Sequence, residues 1–233
     1  RDILIAVFLG AGPLADAFFV AFRIPNTFRR LFSEGTFNAA FVPSYSSLLD
    51  NKKKSQKFAN NIFTLLTIGL FFLVLVIEIM MPIFVFLIAP GFEGDYQKME
   101  LAVTLTRITF PFLMFISLAS FFSAILNSHN KFAIASAAPI ILNILLIGVL
   151  IFGKILNDQL VYYLSYAVTI SGILQLIFLY FFVKKHFSPK LNLSFKIDNK
   201  VKLFFKKLLP SIFSSGVTQI NILVGTIIAS FQA

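Results

Sequence analysis

Residues 16–45 read DAFFVAFRIPNTFRRLFSEGTFNAAFVPSY, a stretch that places Arg23, Arg29, Arg30 and Glu34 in surroundings apolar enough for a lipid bilayer. An ionised side chain that faces lipid at the centre of a membrane helix costs about 3 kcal/mol. These four side chains are therefore expected to face a water-filled cavity or one another. Charged residues within a membrane usually mark the pathway of a substrate or an ion.

The rest of the chain has the composition of an integral membrane protein. Of its 233 residues, 58% are hydrophobic, 31 are Phe and only 13% are charged. A helix needs about 20 apolar residues to cross about 30 Å of hydrocarbon. The absence of Cys excludes disulfides and thiolate metal ligands. The stretches long enough to span a bilayer are residues 16–49, 62–88, 101–126, 132–152, 161–183 and 208–231.

The lysines predict which loops face the cytoplasm. Thirteen of them lie in three alternate loops, at residues 52–57, 131 and 184–207, whereas the other two loops, at residues 93–100 and 154–158, are mainly acidic. By the positive-inside rule, the three basic loops are cytoplasmic. This topology and attraction to anionic lipid account for the net charge of +10, so no nucleic acid partner is needed.

The polar residues of the opening stretch share one face of a helix. At 100° per residue, Arg29 lies off this face unless Pro25 kinks the helix. One interpretation is a row of guanidinium groups that binds a diphosphate, because planar bidentate donors suit this anion. The alternative is that Arg29 and Arg30 lie at the cytoplasmic boundary, contact lipid headgroups and fix the topology. The residues within a stripe about 100° wide are Asp16, Arg23, Asn26, Thr27, Arg30 and Glu34.

The same stretch resembles the MurJ (MviN) lipid II flippase family. It is preceded by an Arg-Asp pair at residues 1–2 and a Gly-Ala-Gly turn at residues 10–12. Further similar segments are APGF at residues 89–92, ITFPFLMFISLASFFSAILNSHNKF at residues 108–132 and APIILNI at residues 138–144. The similarity extends over nearly the whole chain.

The resemblance implies an all-α polytopic membrane protein built from two six-helix lobes and two extra helices, with a central cavity between the lobes. Residues 1–207 would form the N-terminal transmembrane lobe, with a truncated first helix and a basic interfacial linker at residues 184–207. Residues 208–233 would begin helix seven, the start of the second lobe. The chain is expected to be truncated at both ends.

The resemblance also implies a function. Lipid II, an undecaprenyl diphosphate that carries a disaccharide pentapeptide, would move from the inner to the outer leaflet of the bacterial cytoplasmic (inner) membrane by alternating access. This transport would serve peptidoglycan biosynthesis. The expected partners are lipid II, membrane lipids and cell-wall synthesis enzymes, and no catalytic residue, cofactor or metal is expected.

The resemblance further assigns substrate-binding residues. Arg1, Asp2, Asn26 and Arg29 match cavity residues of the family, and Arg29 is preferred over the Arg30 that the helical projection favours, because Pro25 makes that projection unreliable. Secondary candidates within the same motif are Asp16, Arg23, Arg30 and Glu34.

Other functions are compatible with the same sequence. An exporter of a different polyprenyl-linked saccharide and a non-transporting membrane scaffold of cell-wall synthesis remain open alternatives. A cationic-drug exporter is disfavoured because an arginine-rich cavity repels cations.

Glu78 lies in the middle of a predicted span, where it is expected to be protonated or paired with an arginine of residues 16–49. His129 and His186 lie in separate basic turns and predict neither a metal site nor a catalytic pair.

Overall fold

The computed structural model describes residues 2–10, 12–33, 36–155, 159–192 and 199–231, and these residues contain no β-strand. An all-helical fold is expected in a bilayer, because each backbone N–H and C=O there must find a partner within the chain. The α-helices are α1 (Asp2–Leu9), α2 (Pro13–Ser33), α3 (Thr36–Ser46), α4 (Lys52–Ile79), α5 (Met81–Ile88), α6 (Tyr96–Thr109), α7 (Phe112–Ser128), α8 (Phe132–Ala137), α9 (Ile140–Ile151), α10 (Leu160–Val183) and α11 (Asn199–Ser230).

Four helical segments of the described residues are long and apolar enough to cross a membrane: Lys52–Ile79, Tyr96–Ser128, Phe132–Ile151 and Leu160–Val183. Three of them match predicted spans closely, and Lys52–Ile79 begins ten residues before the predicted span at 62–88, which α5 completes. The prediction of an all-α polytopic membrane protein is confirmed. The remaining two predicted spans correspond to α2 with α3 and to α11; three of the five arginines lie on α2, and four lysines lie on α11.

Prolines divide the long spans. Pro82, Pro111 and Pro139 lie at the junctions of α4 with α5, α6 with α7 and α8 with α9. Proline has no backbone N–H and its ring collides with the preceding turn, so an undistorted helix cannot run through it. Pro25 and Pro210 instead lie inside α2 and α11, which continue past them. The candidate residues on both sides of Pro25 therefore belong to one helix.

Aromatic side chains form the core that holds α3 and α11 against the bundle. The ring of Phe41 lies 5.2 Å from that of Phe121 on α7, 5.9 Å from that of Phe58 on α4 and 6.2 Å from that of Phe204 on α11. Phe37 completes the cluster, and all five side chains are buried. The basic beginning of α11 thus packs its apolar face into the protein. The predicted lobe boundary at residues 207 and 208 falls inside this helix, and the division into lobes stays a prediction.

Helices α7 and α10 approach each other closely at Gly172. A Cβ atom at this position would lie 2.7 Å from Cδ2 of Phe112 and 3.2 Å from Cβ of Phe115. Buried hydroxyls in the same region bond to their own helix, as Ser117 does to the carbonyl of Leu113 at 2.7 Å. Small residues therefore allow close packing without leaving polar groups unpaired.

The predicted cytoplasmic loops lie together at one end of the bundle. The Lys190 N–H donates a hydrogen bond to Asn60 Oδ1 at 2.8 Å, which joins the basic loop after α10 to the beginning of α4. The rings of His129 and His186 stack with their centroids 4.2 Å apart, which joins the loop after α7 to the same region. The three loops that the lysine pattern assigned to one side of the membrane are therefore neighbours.

Candidate substrate cavity

A cavity of about 390 Å³ lies between α2 and the C-terminal end of α11. Its wall combines polar and aromatic side chains, and all of them except Phe92 belong to segments predicted to span the membrane. The lining residues are Asp16, Phe19, Val20, Phe22, Arg23 and Asn26 from α2, Phe92 from the turn after α5, and Thr226, Ala229 and Ser230 from α11.

The spacing of the α2 residues explains why they meet in one cavity. Asp16, Arg23 and Asn26 are separated by seven and three residues, about two turns and one turn of an α-helix, and extend over about 15 Å of its axis. The prediction that these three share a face is confirmed. Thr27, the fourth described member of the predicted stripe, is 6% exposed and does not line the cavity.

Asp16 lines the cavity and forms an ion pair with Lys98. Lys98 Nζ lies 2.7 Å from Asp16 Oδ2, and the lysine side chain is 6% exposed. The same ammonium group lies 4.4 Å from the ring centroid of Phe92, and the Lys98 N–H donates to the Asp95 carboxylate at 3.0 Å. No carboxylate of the described residues contacts the guanidinium of Arg23. Because Asp16 and Lys98 neutralise each other, Arg23 supplies the positive charge of the cavity.

A tight turn fixes the α11 side of the cavity. The Gly91 N–H donates to Ser230 Oγ at 3.1 Å, and a Cβ atom on Gly91 would lie 2.1 Å from the Ser230 carbonyl oxygen. Only glycine permits such a close backbone approach. This contact and the Asp16–Lys98 pair bring the predicted outer turns together, at the opposite end from the basic loops.

Several predicted site residues lie outside the part of the chain that the structure describes. Arg1 and Glu34 are not among the described residues, and the side chains of Asp2, Arg29 and Arg30 are outside them as well. Their role in binding stays a prediction.

Glu78 has a charged neighbour that was not expected, and its pairing with Arg29 or Arg30, whose side chains lie outside the described residues, stays a prediction. Among the described residues, the opposite charge that acts on it is Arg107 of α6, rather than an arginine of α2. Its Oε1 atom is buried without a hydrogen-bond partner in the described part of the chain.

Comparison with known proteins places the chain in a family. The family model described as "Lipid II flippase MurJ" matches residues 5–233. The chain belongs to the MurJ lipid II flippase family. A Rhizobium tropici protein named "Probable lipid II flippase MurJ" is 40% identical over 99% of this chain and 44% of its own length. The "Lipid II flippase MurJ" of Burkholderia cenocepacia is 36% identical over 99% of this chain and 46% of its own length.

A solved MurJ structure has the same fold. The structure titled "Lipid II flippase MurJ, inward closed conformation" superposes with a TM-score of 0.85 and 27% identity, over 100% of this chain and 48% of the solved one. The chain therefore spans about half the length of the MurJ proteins it matches. Its family and its several apolar spans identify it as a multi-pass protein of the cytoplasmic membrane.

Sequence reasoning missed part of this cavity. Phe19 and Val20 lie three and four residues after Asp16, a spacing that places them on the same helical face and could have identified them. Thr226 and Ser230 are far from α2 in sequence, and nothing in their local pattern indicates that α11 faces it. Lys98 lies in a loop predicted to be mainly acidic, and no local pattern indicates that it pairs with Asp16.

The histidine pair was also missed. His129 and His186 were placed in separate basic turns without a predicted contact, and in the structure their rings stack, with the ring of Tyr45 6.0 Å from that of His129. Burial, followed by the nearby charge of His186, lowers the pKa of His129. No group of three metal-ligating side chains occurs among the described residues.

Proposed function

We propose that this chain is the N-terminal half of a flippase that moves lipid II from the inner to the outer leaflet of the cytoplasmic membrane. The proposal rests on the membrane cavity between α2 and α11, into which Arg23 brings a positive charge beside Asn26. The names of the MurJ relatives supply the cargo. The cargo carries a diphosphate, and this anion cannot cross hydrocarbon without groups that replace its hydration.

Arginine is well suited to that task. Its guanidinium offers a planar set of donors that binds phosphate oxygens in pairs, and it stays charged at any physiological pH. In the proposed mechanism Arg23 and Asn26 bind the diphosphate from α2. Arg1, Asp2, Arg29 and Arg30, which the resemblance assigns to substrate binding, would supply further contacts to the cargo, and the polyprenyl tail would stay in lipid. No covalent bond forms or breaks, so the protein acts as a transporter and not as an enzyme.

In the proposed mechanism α2 and the end of α11 move relative to each other. A volume of about 390 Å³ equals roughly a dozen water molecules in the liquid, at about 30 Å³ each. This accommodates a hydrated diphosphate, whereas a disaccharide pentapeptide is larger. The cavity lies between α2 of the predicted first lobe and residues 226–230 of the predicted second lobe. Rocking of one lobe against the other would widen it and expose it alternately to each leaflet.

The test is complementation of cells depleted of their native flippase by the full-length protein at normal expression. Arg29→Ala and Arg23→Ala are expected to abolish or strongly reduce rescue. Arg23→Lys should rescue partially, because an ammonium group keeps the charge and loses the paired geometry. Lys185→Ala removes an exposed positive charge far from the cavity and serves as the control.

Full rescue by both arginine-to-alanine variants would exclude these side chains from the mechanism. The cargo is tested by native mass spectrometry of the same protein with lipid II and with an O-antigen-type polyprenyl lipid. A clear preference for the second lipid would assign the protein to a different polyprenyl-linked saccharide.

A further inference from the structure

A second cavity, which we call the basic cleft, has a volume of about 910 Å³ and lies at the predicted cytoplasmic end. It is formed by the first turns of α4 and by residues 188–192, which follow α10. Four of its lining residues are lysines, and none of those that the structure describes is acidic. The lining residues are Lys52, Lys53, Gln56, Lys57, Asn60, Asn61, Ser188, Lys190, Leu191 and Asn192.

The two walls of the basic cleft are fastened together. Side chains on one face of α4 hold the backbone of residues 188–192 through three hydrogen bonds. Because these bonds fix an extended segment along the helix, the cleft is a defined feature of the fold. The bonds run from Gln56 Nε2 to the Ser188 carbonyl at 2.6 Å, from the Lys190 N–H to Asn60 Oδ1 at 2.8 Å, and from the Asn192 N–H to Thr64 Oγ1 at 3.0 Å.

One polar group inside the basic cleft lacks a partner in the described part of the chain. Asn61 is 1% exposed, and its Nδ2 has no hydrogen-bond acceptor among the described residues. A buried amide without an acceptor is rare in native proteins, and the acceptor is then a water, an ion or a bound ligand. Since Asn61 also lines the cleft, an oxygen atom of a bound ligand is the natural acceptor.

The chemistry of the basic cleft selects an anion with several oxygen atoms. Lysine binds phosphate as a point charge, and here four lysines and an amide donor surround one space without a competing carboxylate. We propose that the basic cleft binds the phosphate of an anionic phospholipid of the cytoplasmic leaflet.

The position of the basic cleft favours a lipid over a soluble phosphate. It occupies the first turns of the membrane-spanning helix α4, at the depth where lipid headgroups lie. Leu191, which lines it, is 59% exposed and offers an apolar contact that a lipid can cover. The α4 surface beyond it is also apolar and exposed, as at Phe71 and Phe72, where acyl chains can lie.

The test uses the full-length protein in a non-ionic detergent and measures lipid retention by native mass spectrometry. Phosphatidylglycerol is compared with phosphatidylcholine of the same acyl chains, and the anionic lipid is expected to be retained. Lys53→Gln/Lys57→Gln should lower its retention about thirtyfold, since each lysine near a lipid surface contributes roughly 1 kcal/mol and about 1.4 kcal/mol corresponds to a factor of ten. Lys54→Gln/Lys185→Gln removes the same charge from residues that do not line the cleft and should change retention little.

The Asn61→Leu variant distinguishes a loss of lipid binding from a loss of folding stability. Leucine has a similar volume and no unpaired amide, so the variant should melt at the same temperature or higher while it retains less phosphatidylglycerol. Equal losses in the cleft and control lysine variants, or unchanged retention in Asn61→Leu, would overturn the proposal. Displacement of the lipid by low millimolar inorganic phosphate would instead identify a soluble-anion site. Arg23→Ala should keep lipid retention, so this result is independent of the flippase proposal.

Discussion

At the scale of single residues, the ion pair between Asp16 and Lys98 determines the net charge of the cavity lining. Asp16 and Arg23 both face the cavity from α2, and without Lys98 the carboxylate would offset the charge of the guanidinium. Lys98 comes from the beginning of α6 and is held by Asp95 and Phe92 as well. An anion that approaches the cavity therefore meets a neutral pair and one free positive charge among the described lining residues.

Replacement of Lys98 by Met tests this pairing. The change leaves the Asp16 carboxylate without its partner in a largely buried site, and loss of one member of a buried pair costs about 3–5 kcal/mol. Because Asp16 is 31% exposed, we expect a smaller loss of about 2 kcal/mol in the free energy of unfolding. Thermal melting of the purified full-length protein measures it. Asp16→Asn/Lys98→Met removes both charges and should recover most of the stability; an equally unstable double variant would contradict the pairing.

At the scale of helices, the sequence predicted the positions of the membrane spans, because these depend on local patterns of residues. The apolar runs identify α4, α6 with α7, α8 with α9, and α10, because the bilayer imposes a length and a composition on each span. The proline positions predict where three of these spans divide. Both signals are contained within about 20 neighbouring residues.

The contacts between helices could not be predicted in this way. Phe204 enters the aromatic core from α11, and Ser230 reaches the turn at Gly91, although more than 100 residues separate these partners in sequence. A periodic pattern predicts that a helix has an apolar face, but it does not predict which neighbouring helix packs on that face. The α2 half of the cavity was therefore predictable, and the α11 half was not.

Replacement of Gly91 by Ala tests the contact that closes the α11 side. The added Cβ atom would overlap the backbone of Ser230, so the turn and the end of α11 must move apart. We expect a loss of about 1–3 kcal/mol in stability, as for other overpacked sites. A cysteine placed at the buried Thr226 should also react faster with a water-soluble maleimide. Gly94→Ala, in the same turn, has nothing within 4 Å of its added Cβ atom and should leave both measurements unchanged.

At the scale of the whole molecule, charge and contacts divide the protein into the same two ends. The basic loops meet where residues 188–192 pack on α4 and where His129 stacks on His186. The acidic turn that contains Glu93 lies at the other end, where Gly91 meets Ser230. The lysine pattern and the helix packing are independent features, so their agreement supports one orientation in the membrane.

Labelling of single cysteines tests this orientation. The printed sequence contains no Cys, so cysteines introduced into a cysteine-free full-length background report their own position. Cysteines at Glu93 and Tyr96, both exposed, should react with a membrane-impermeant maleimide in intact spheroplasts. Cysteines at Lys54, Lys185 and Lys202, exposed at or near the basic end, should react only after the membrane is permeabilised. The reverse pattern would invert the topology and place the basic cleft in the outer leaflet, which would remove the basis for a lipid site on the cytoplasmic side.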